Sequence, residues 1–320
     1  MTPLYLILFI IAFFLMIRAG SLLVLSLTQI SRYFDISEYM VAFVFMSFAT
    51  SVPELSIGIA SAFQGIPELS FGNILGANII NITLVAGLAA VMAGGLTMRS
   101  KLSRRNTLII FLLSILPLVL AFDGVLSRTD GLIMLIAFAL YMLQLIGDRV
   151  YFSKQINSLP VNGRTFSSSF KSLLGFIGGV LLLIVSAGII TYTGSTLALE
   201  LGIANTAFGI LFLSVSTALP EIVFGIRAKM LNHVDMAIGN ILGSVAFNSV
   251  GITGLVAVIQ PFTVLATQEL ITTVLFFVSG FVLFIAFIYT RNTIGRFEGA
   301  TLILAYLLFV IFTSLTLWNY

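Results

Sequence analysis

The 320 residues include 15 Lys or Arg, 12 Asp or Glu and one His, for a net charge of +3, with 59% hydrophobic residues and only 8% charged ones. A water-facing globule carries about 25% charged residues, so a soluble domain is excluded, and the basic residues are too sparse and scattered for a nucleic-acid surface. With no cysteine, disulfides, thiolate metal sites and thiol catalysis are excluded too.

A hydrocarbon core of ~30 Å takes about 20 apolar residues per helix. Runs of that kind predict ten spans, at 3–30, 39–64, 69–95, 107–122, 131–147, 172–197, 206–229, 236–261, 267–290 and 298–317. The first run, from Pro3 past Arg18, lacks a basic leader and a small-residue cleavage site, so it reads as a retained span. Stretches such as Leu108 to Phe122 are apolar on every side, and no period-2 alternation of a membrane barrel occurs. The expected fold is an all-α membrane protein.

Orientation follows from Lys and Arg, which concentrate in cytoplasmic loops. Alternate loops hold Arg32; Arg99, Lys101, Arg104 and Arg105; Arg149, Lys154, Arg164 and Lys171; Arg227 and Lys229; and Arg291 and Arg296, whereas the opposite set holds only Arg128. The expectation is a multi-pass protein of the cell membrane with both termini extracellular. The longest connection, 148–171, runs through Asn157-Ser-Leu-Pro-Val-Asn-Gly-Arg164 and divides the spans five and five. Two five-helix units are expected, 1–147 and 172–320, joined by a cytoplasmic linker.

The two units repeat each other. Ala49-Thr-Ser-Val-Pro-Glu54 returns as Ser216-Thr-Ala-Leu-Pro-Glu221, and Gly72-Asn-Ile-Leu-Gly-Ala-Asn-Ile-Ile-Asn81 returns as Gly239-Asn-Ile-Leu-Gly-Ser-Val-Ala-Phe-Asn248. Both pairs sit at one offset, since 221 − 54 and 248 − 81 each give 167. An odd number of spans per unit makes the second enter the membrane from the opposite side, which gives inverted repeats with their motifs meeting near the midplane.

Glu54 and Glu221 are the two acidic residues that fall well inside predicted spans, where a carboxylate costs at least a few kcal/mol unless it is compensated. Each follows a proline, Pro53 or Pro220, which is expected to break the helix and free a carbonyl at Ala49 or Ser216. Irregular backbone at membrane depth is tolerated in protein interiors or along a water-filled cavity. Asn81 and Asn248 share a helix face with Asn73 and Asn240, and their amide oxygens are candidates to join the site. The Gly72/Gly76 and Gly239/Gly243 pairs let backbones approach closely. Together with the hydroxyls of Ser47, Thr50, Ser51, Ser214, Thr217 and Ser244, the candidate ligands are oxygens only, which suits a hard cation such as Ca²⁺ or Na⁺. Two carboxylates neutralise one divalent ion, and after it leaves Na⁺ or protons must replace it, which gives exchange. His233 reads as a solvated loop residue, with a proton-sensing role as the alternative, and Trp318 and Tyr320 read as interfacial anchors. No Ser–His pair or intramembrane Asp pair supports an enzyme.

At these motifs the chain resembles the cation/Ca²⁺ exchanger superfamily, and within it the prokaryotic sodium/calcium exchanger branch. That family's duplicated motif reads roughly G-T-S-[LV]-P-E followed by G-N-x-x-G-S-N-x-x-N. The resemblance implies a secondary active antiporter of ten helices, working by alternating access as the first and sixth helices slide across the rest. It also implies a Ca²⁺ site of Glu54, Glu221 and the main-chain oxygens of Thr50 and Thr217. Na⁺ sites around it would use Ser51 and Ser244, main-chain oxygens near Ser47 and Ser214, and the positions of Ala77 and Ala218, with Asn81 and Asn248 at the motif ends. Ala77 and Ala218 lack the family's hydroxyls, and Ala49 and Ser216 replace its leading glycine, so the number of Na⁺ sites stays open. Gly76 and Gly243 stand where the proton-coupled branch has Glu, which favours sodium. Ca²⁺/H⁺ exchange and a cation channel remain as alternatives. Partners are expected to be Ca²⁺, Na⁺ or H⁺ and the lipid bilayer, with no nucleic acid, no obligate protein partner and no cofactor beyond the transported ions.

Overall fold

A computed structural model describes residues 2–34, 36–92, 94–97, 101–147, 166–200, 214–264, 268–291 and 293–318. They form twelve helical segments, α1 Thr2–Phe34, α2 Glu38–Thr50, α3 Val52–Phe63, α4 Pro67–Met92, α5 Lys101–Leu120, α6 Arg128–Gly147, α7 Phe166–Glu200, α8 Ser214–Thr217, α9 Leu219–Met230, α10 Val234–Ile259, α11 Gln268–Arg291 and α12 Arg296–Trp318. Four two-residue strands accompany them: β1 Leu96–Thr97, β2 Val125–Leu126, β3 Phe262–Thr263 and β4 Thr293–Ile294. Helices satisfy their own backbone groups, which is what a hydrocarbon solvent demands of a spanning segment.

Among the described residues, seven helices are long and apolar enough to cross a membrane, or eight when α2 and α3 count as one broken span. The chain is an all-helical, multi-pass membrane protein. The shortfall from ten predicted spans lies in α7, whose shorter apolar stretch is Lys171–Ser186, and in the span 206–229, part of which falls on residues 201–213, outside the described residues. Spans four and five, read as short, are helices of 20 residues each, because basic and polar residues counted as loop form their first turns. The predicted linker 148–171 also ends early, since α7 begins at Phe166; its remainder, 148–165, lies outside the described residues.

Burial sorts the helices. The most apolar windows of α4 and α10 are 83% and 89% buried, against 22–33% for α1, α5, α6, α11 and α12. Two central helices therefore stand inside a ring whose outer faces carry exposed Leu112, Leu140 and Leu275. The two motifs ending at Asn81 and Asn248 run along these central helices.

The repeat is visible in the pairing. β1 pairs antiparallel with β4, Leu96 opposite Ile294, and β2 pairs antiparallel with β3, Leu126 opposite Phe262. A shift of 167 carries β1 onto β3 and β2 onto β4 within a residue, so one ladder corresponds to the other. Glycine crossings obey the same shift. A Cβ on Gly131 would lie 2.7 Å from the Gly254 carbonyl oxygen, and one on Gly87 would lie 2.7 Å from that of Gly299. Both contacts are to backbone, which cannot turn aside, so Gly131→Val is expected to lower the unfolding midpoint in detergent, with overpacking costing roughly 1–3 kcal/mol. Gly178→Ala, in open space on α7, should leave the midpoint unchanged or slightly raised.

Candidate ion-binding site

Two helix breaks build the site. α2 ends at Thr50, Ser51 adopts φ −86° and ψ 11°, and α3 departs at 46° from α2. Its counterpart is Ala218, at φ −82° and ψ −1°, between α8 and α9. Pro53 and Pro220 occupy the opening positions of α3 and α9. The expected break at each proline is present, and it falls two residues ahead, at Ser51 and Ala218, so that the proline lies in the first turn of the following helix, where its missing N–H would be unpaired anyway. Hydrogen bonds of 3.0 Å from Ser51 N to the Ser47 carbonyl and from Leu55 N to that of Ser51 carry the chain through the break. Glu54 and Glu221 thereby lie in the first turn of a helix, beside the positive end of its dipole.

Both carboxylates are buried, and they are close enough to repel each other. The hydroxyls of Ser51 and Ser244 each lie 3.4 Å from Oε1 of Glu221. Neither oxygen of Glu54 has a hydrogen-bond partner, nor has Oε2 of Glu221, Oδ1 of Asn248, or either amide atom of Asn81. Buried polar groups are nearly always paired, and leaving one unpaired costs free energy. Buried carboxylate oxygens left without a partner are what a cation completes. Among the described residues no three His, Asp or Glu side chains cluster, so the donors are two carboxylates and neutral oxygens, the chemistry of Ca²⁺ or Na⁺.

The structure sorts the predicted residues. Glu54, Glu221, Thr50, Thr217, Ser51 and Ser244 come together in the buried cluster. Asn81 and Asn248 each begin or sit inside a π-helical turn, Asn81–Val85 and Phe247–Ile252. Such a turn inserts one residue into the helix and re-aims the side chains around it. Ser47 and Ser214 serve differently. The Ser47 hydroxyl donates to the Phe43 carbonyl, and both serines pack against central-helix glycines. A Cβ on Gly243 would stand 2.8 Å from Ser47 Oγ, and one on Gly76 would stand 2.9 Å from Ser214 Oγ. Ala77 and Ala218 are fully buried and bring no hydroxyl.

Asn78 was not singled out in the sequence. It donates to Ser249 Oγ at 2.8 Å and accepts from Asn248 Nδ2 at 3.4 Å, which leaves Asn248 Oδ1 unpaired. Comparison of the repeats hides it, because the second copy has Val245 there. His233 is also corrected: it is not a plain solvated loop residue, since Nδ1 lies 2.9 Å from the Glu38 carboxylate at the start of α2 and Nε2 lies 3.4 Å from Thr28 of α1. Trp318 and Tyr320 cannot be placed as anchors: the side chain of one and the whole of the other lie outside the described residues.

Known proteins share the sequence and fold of this chain. The family model described as sodium/calcium exchanger protein matches residues 4–147 and 171–315. The chain is 28% identical over 300 residues to the uncharacterized membrane protein MJ0091 of Methanocaldococcus jannaschii, covering 94% of this chain and 95% of that one. It is 25% identical over 332 residues to the sodium/calcium exchanger MaX1 of Methanosarcina acetivorans, covering 92% and 94%. A solved structure of the sodium-calcium exchanger NCX_Mj, soaked with 10 mM Na⁺ and zero Ca²⁺, superposes with a TM-score of 0.82 at 25% identity, over 96% of this chain and 98% of that one.

Proposed function

The chain belongs to the sodium/calcium exchanger protein family, and from that premise we propose that it is a secondary antiporter exchanging Na⁺ for Ca²⁺ by alternating access. The observation that carries this reading is the buried, mutually repelling pair Glu54 and Glu221, with three of its four oxygens unpartnered. One Ca²⁺ balances the pair. When it departs, two bare carboxylates out of water repel each other and lack solvation, so Na⁺ must enter before the site can reorient. That requirement couples the two fluxes.

Thr50, Thr217, Asn81 and Asn248 complete the oxygen cage, Ser51 and Ser244 supply hydroxyls, and Ser47 and Ser214 contribute through their backbone and their packing. The units 1–147 and 172–320 act as inverted repeats of five spans, with α2–α3 and α8–α9 each part of one broken span. The cross-paired ladders support that arrangement. The basic loops put both termini outside, and the inward Na⁺ gradient then drives Ca²⁺ out.

The test is ⁴⁵Ca²⁺ uptake by proteoliposomes loaded with Na⁺ and diluted into Na⁺-free buffer, beside vesicles without a gradient and vesicles with a pH gradient alone. Uptake confined to the Na⁺-loaded set is expected. Uptake confined to the pH-gradient set would replace Na⁺ by H⁺, the reading that Ala77 and Ala218 favour through their lack of hydroxyls. Equal uptake in all three would indicate a channel.

A further inference from the structure

The two halves of the site share one framework and differ in one contact. On the first side, Ser47 packs against Gly243, and three residues further along α2 the Thr50 hydroxyl lies 3.2 Å from the side-chain oxygen of Asn240 and 3.3 Å from Ser244 Oγ, the residues three before and one after that glycine. On the second side Ser214 packs against Gly76 in the same register, a shift of 167 from the first. The matching partners there are Thr217 and Asn73. They do not bond: the Thr217 hydroxyl donates only to the Ser214 carbonyl, at 3.2 Å, and neither amide atom of Asn73 has a partner although the residue is only 7% exposed. Position 77, matching Ser244, is alanine and offers no hydroxyl.

An unpaired buried amide one turn from a cation site costs free energy in the state seen. In the other repeat the matching Asn240 has its side-chain oxygen paired with Thr50, and only its Nδ2 is left without a partner. We propose that Asn240 and Asn73 are alternating positioning residues: Asn240 holds Thr50 in the state described here, and in the opposite-facing state that bond opens while Asn73 takes the Thr217 hydroxyl. The inference rests on the alternating-access reading above. Asn240 acts through a threonine one hydroxyl away from a site carboxylate, since Thr50 meets Ser244 and Ser244 meets Oε1 of Glu221, so the switch would pass the threonine from a held to a released position as the broken span moves. The missing hydroxyl at Ala77 makes the second clasp one arm weaker than the first, which biases the empty protein toward the state with Asn240 engaged.

A neutral hydrogen bond shifts a two-state population by about fivefold, and apparent affinity at each membrane face scales with the population open to it. The experiment measures the Ca²⁺ concentration for half-maximal transport in right-side-out and inside-out vesicles carrying the full-length wild type, Asn240→Ala, Asn73→Ala or both changes. Asn240→Ala should raise the value at one face about fivefold and lower it at the other; Asn73→Ala should do the reverse, and the double variant should return toward the wild-type ratio. A change in the same direction at both faces, or no effect of Asn73→Ala, would overturn the proposal. Asn240→Ser and Asn73→Ser, too short to reach, repeat the test if an alanine variant misfolds.

A second readout needs no transport. The chain has no cysteine, so single cysteines at Ser61 and Ala228, buried at equivalent places near the far ends of α3 and α9, report opening through labelling by an impermeant thiol reagent. Asn240→Ala and Asn73→Ala should shift the two reporters in opposite senses. Opposite shifts without Na⁺-driven transport would leave the clasp standing and reject the antiport reading; transport without opposite shifts would do the converse.

Discussion

Glu54→Gln and Glu221→Gln are each expected to reduce Na⁺-driven Ca²⁺ transport to the level of protein-free vesicles. Either change leaves the volume of the site almost untouched and removes one of two negative charges held beside each other out of water. Loss of one partner from a buried charge pair with its ligand costs about 2–5 kcal/mol or more, a loss of roughly thirtyfold to several thousandfold in affinity by the logarithmic relation. Stability should move the other way. An amide is far cheaper to bury than a carboxylate, and relieving like-charge repulsion favours the fold, so in ion-free detergent each variant should unfold at or above the wild-type midpoint. Added Ca²⁺ should then raise the wild-type midpoint and leave the variants unmoved, as expected when a ligand binds the native state alone. Transport above one tenth of wild type in either variant would remove that carboxylate from the site.

Gly243→Ala carries the second largest expected effect, although no ligand is touched. A Cβ there would lie 2.6 Å from the Phe43 carbonyl oxygen and 2.8 Å from both side-chain atoms of Ser47. These atoms belong to the end of α2, whose next turn presents Thr50 to Asn240 and Ser244. The carbonyl cannot rotate away, so the whole turn must retreat, and a displacement of about 1 Å at a positioned group is enough to cost ~100-fold in rate. Initial rates of Ca²⁺ transport should fall at least tenfold, with protein still recovered from the membrane. Gly76→Ala meets only the Ser214 side chain, at 2.9 and 3.1 Å, and should cost less. Equal losses in the two variants would mean that side-chain crowding, not the backbone contact, sets the effect.

The candidate site was legible in the sequence because it is duplicated. Two buried glutamates preceded by prolines at one offset needed no structure to be singled out, and an apolar composition placed them in a membrane. The local backbone was harder to read. Proline signals a break but not where it falls, and only the dihedral angles place it at Ser51 and Ala218, two residues ahead of each proline. The π turns at Ala42–Met46, Asn81–Val85 and Phe247–Ile252 leave no mark in apolar sequence, since packing of neighbouring helices selects them. Asn78 escaped for a related reason: comparing repeats rewards what they share, and its bonds to Asn248 and Ser249 exist on one side only. His233 looked solvated because its partners, Glu38 and Thr28, lie about two hundred positions away.

Asymmetry between otherwise matching halves is where the structure adds most to the sequence. Ser244 against Ala77, Asn240 engaged against Asn73 unpaired, and Asn78 against Val245 all fall on the two central helices. A transporter built from equal halves would have no preferred resting state; these few side chains differ without altering the two glutamates proposed to hold the ions.

The most direct measurement of the central claim is ²²Na⁺ efflux from loaded proteoliposomes, followed while Ca²⁺ is added outside. Coupled exchange through the Glu54–Glu221 site predicts that Na⁺ stays inside until Ca²⁺ arrives, then leaves in fixed proportion to the ⁴⁵Ca²⁺ that enters, and that Glu54→Gln vesicles release none. Na⁺ loss that is indifferent to external Ca²⁺, or Ca²⁺ entry unaccompanied by Na⁺ loss, would contradict it.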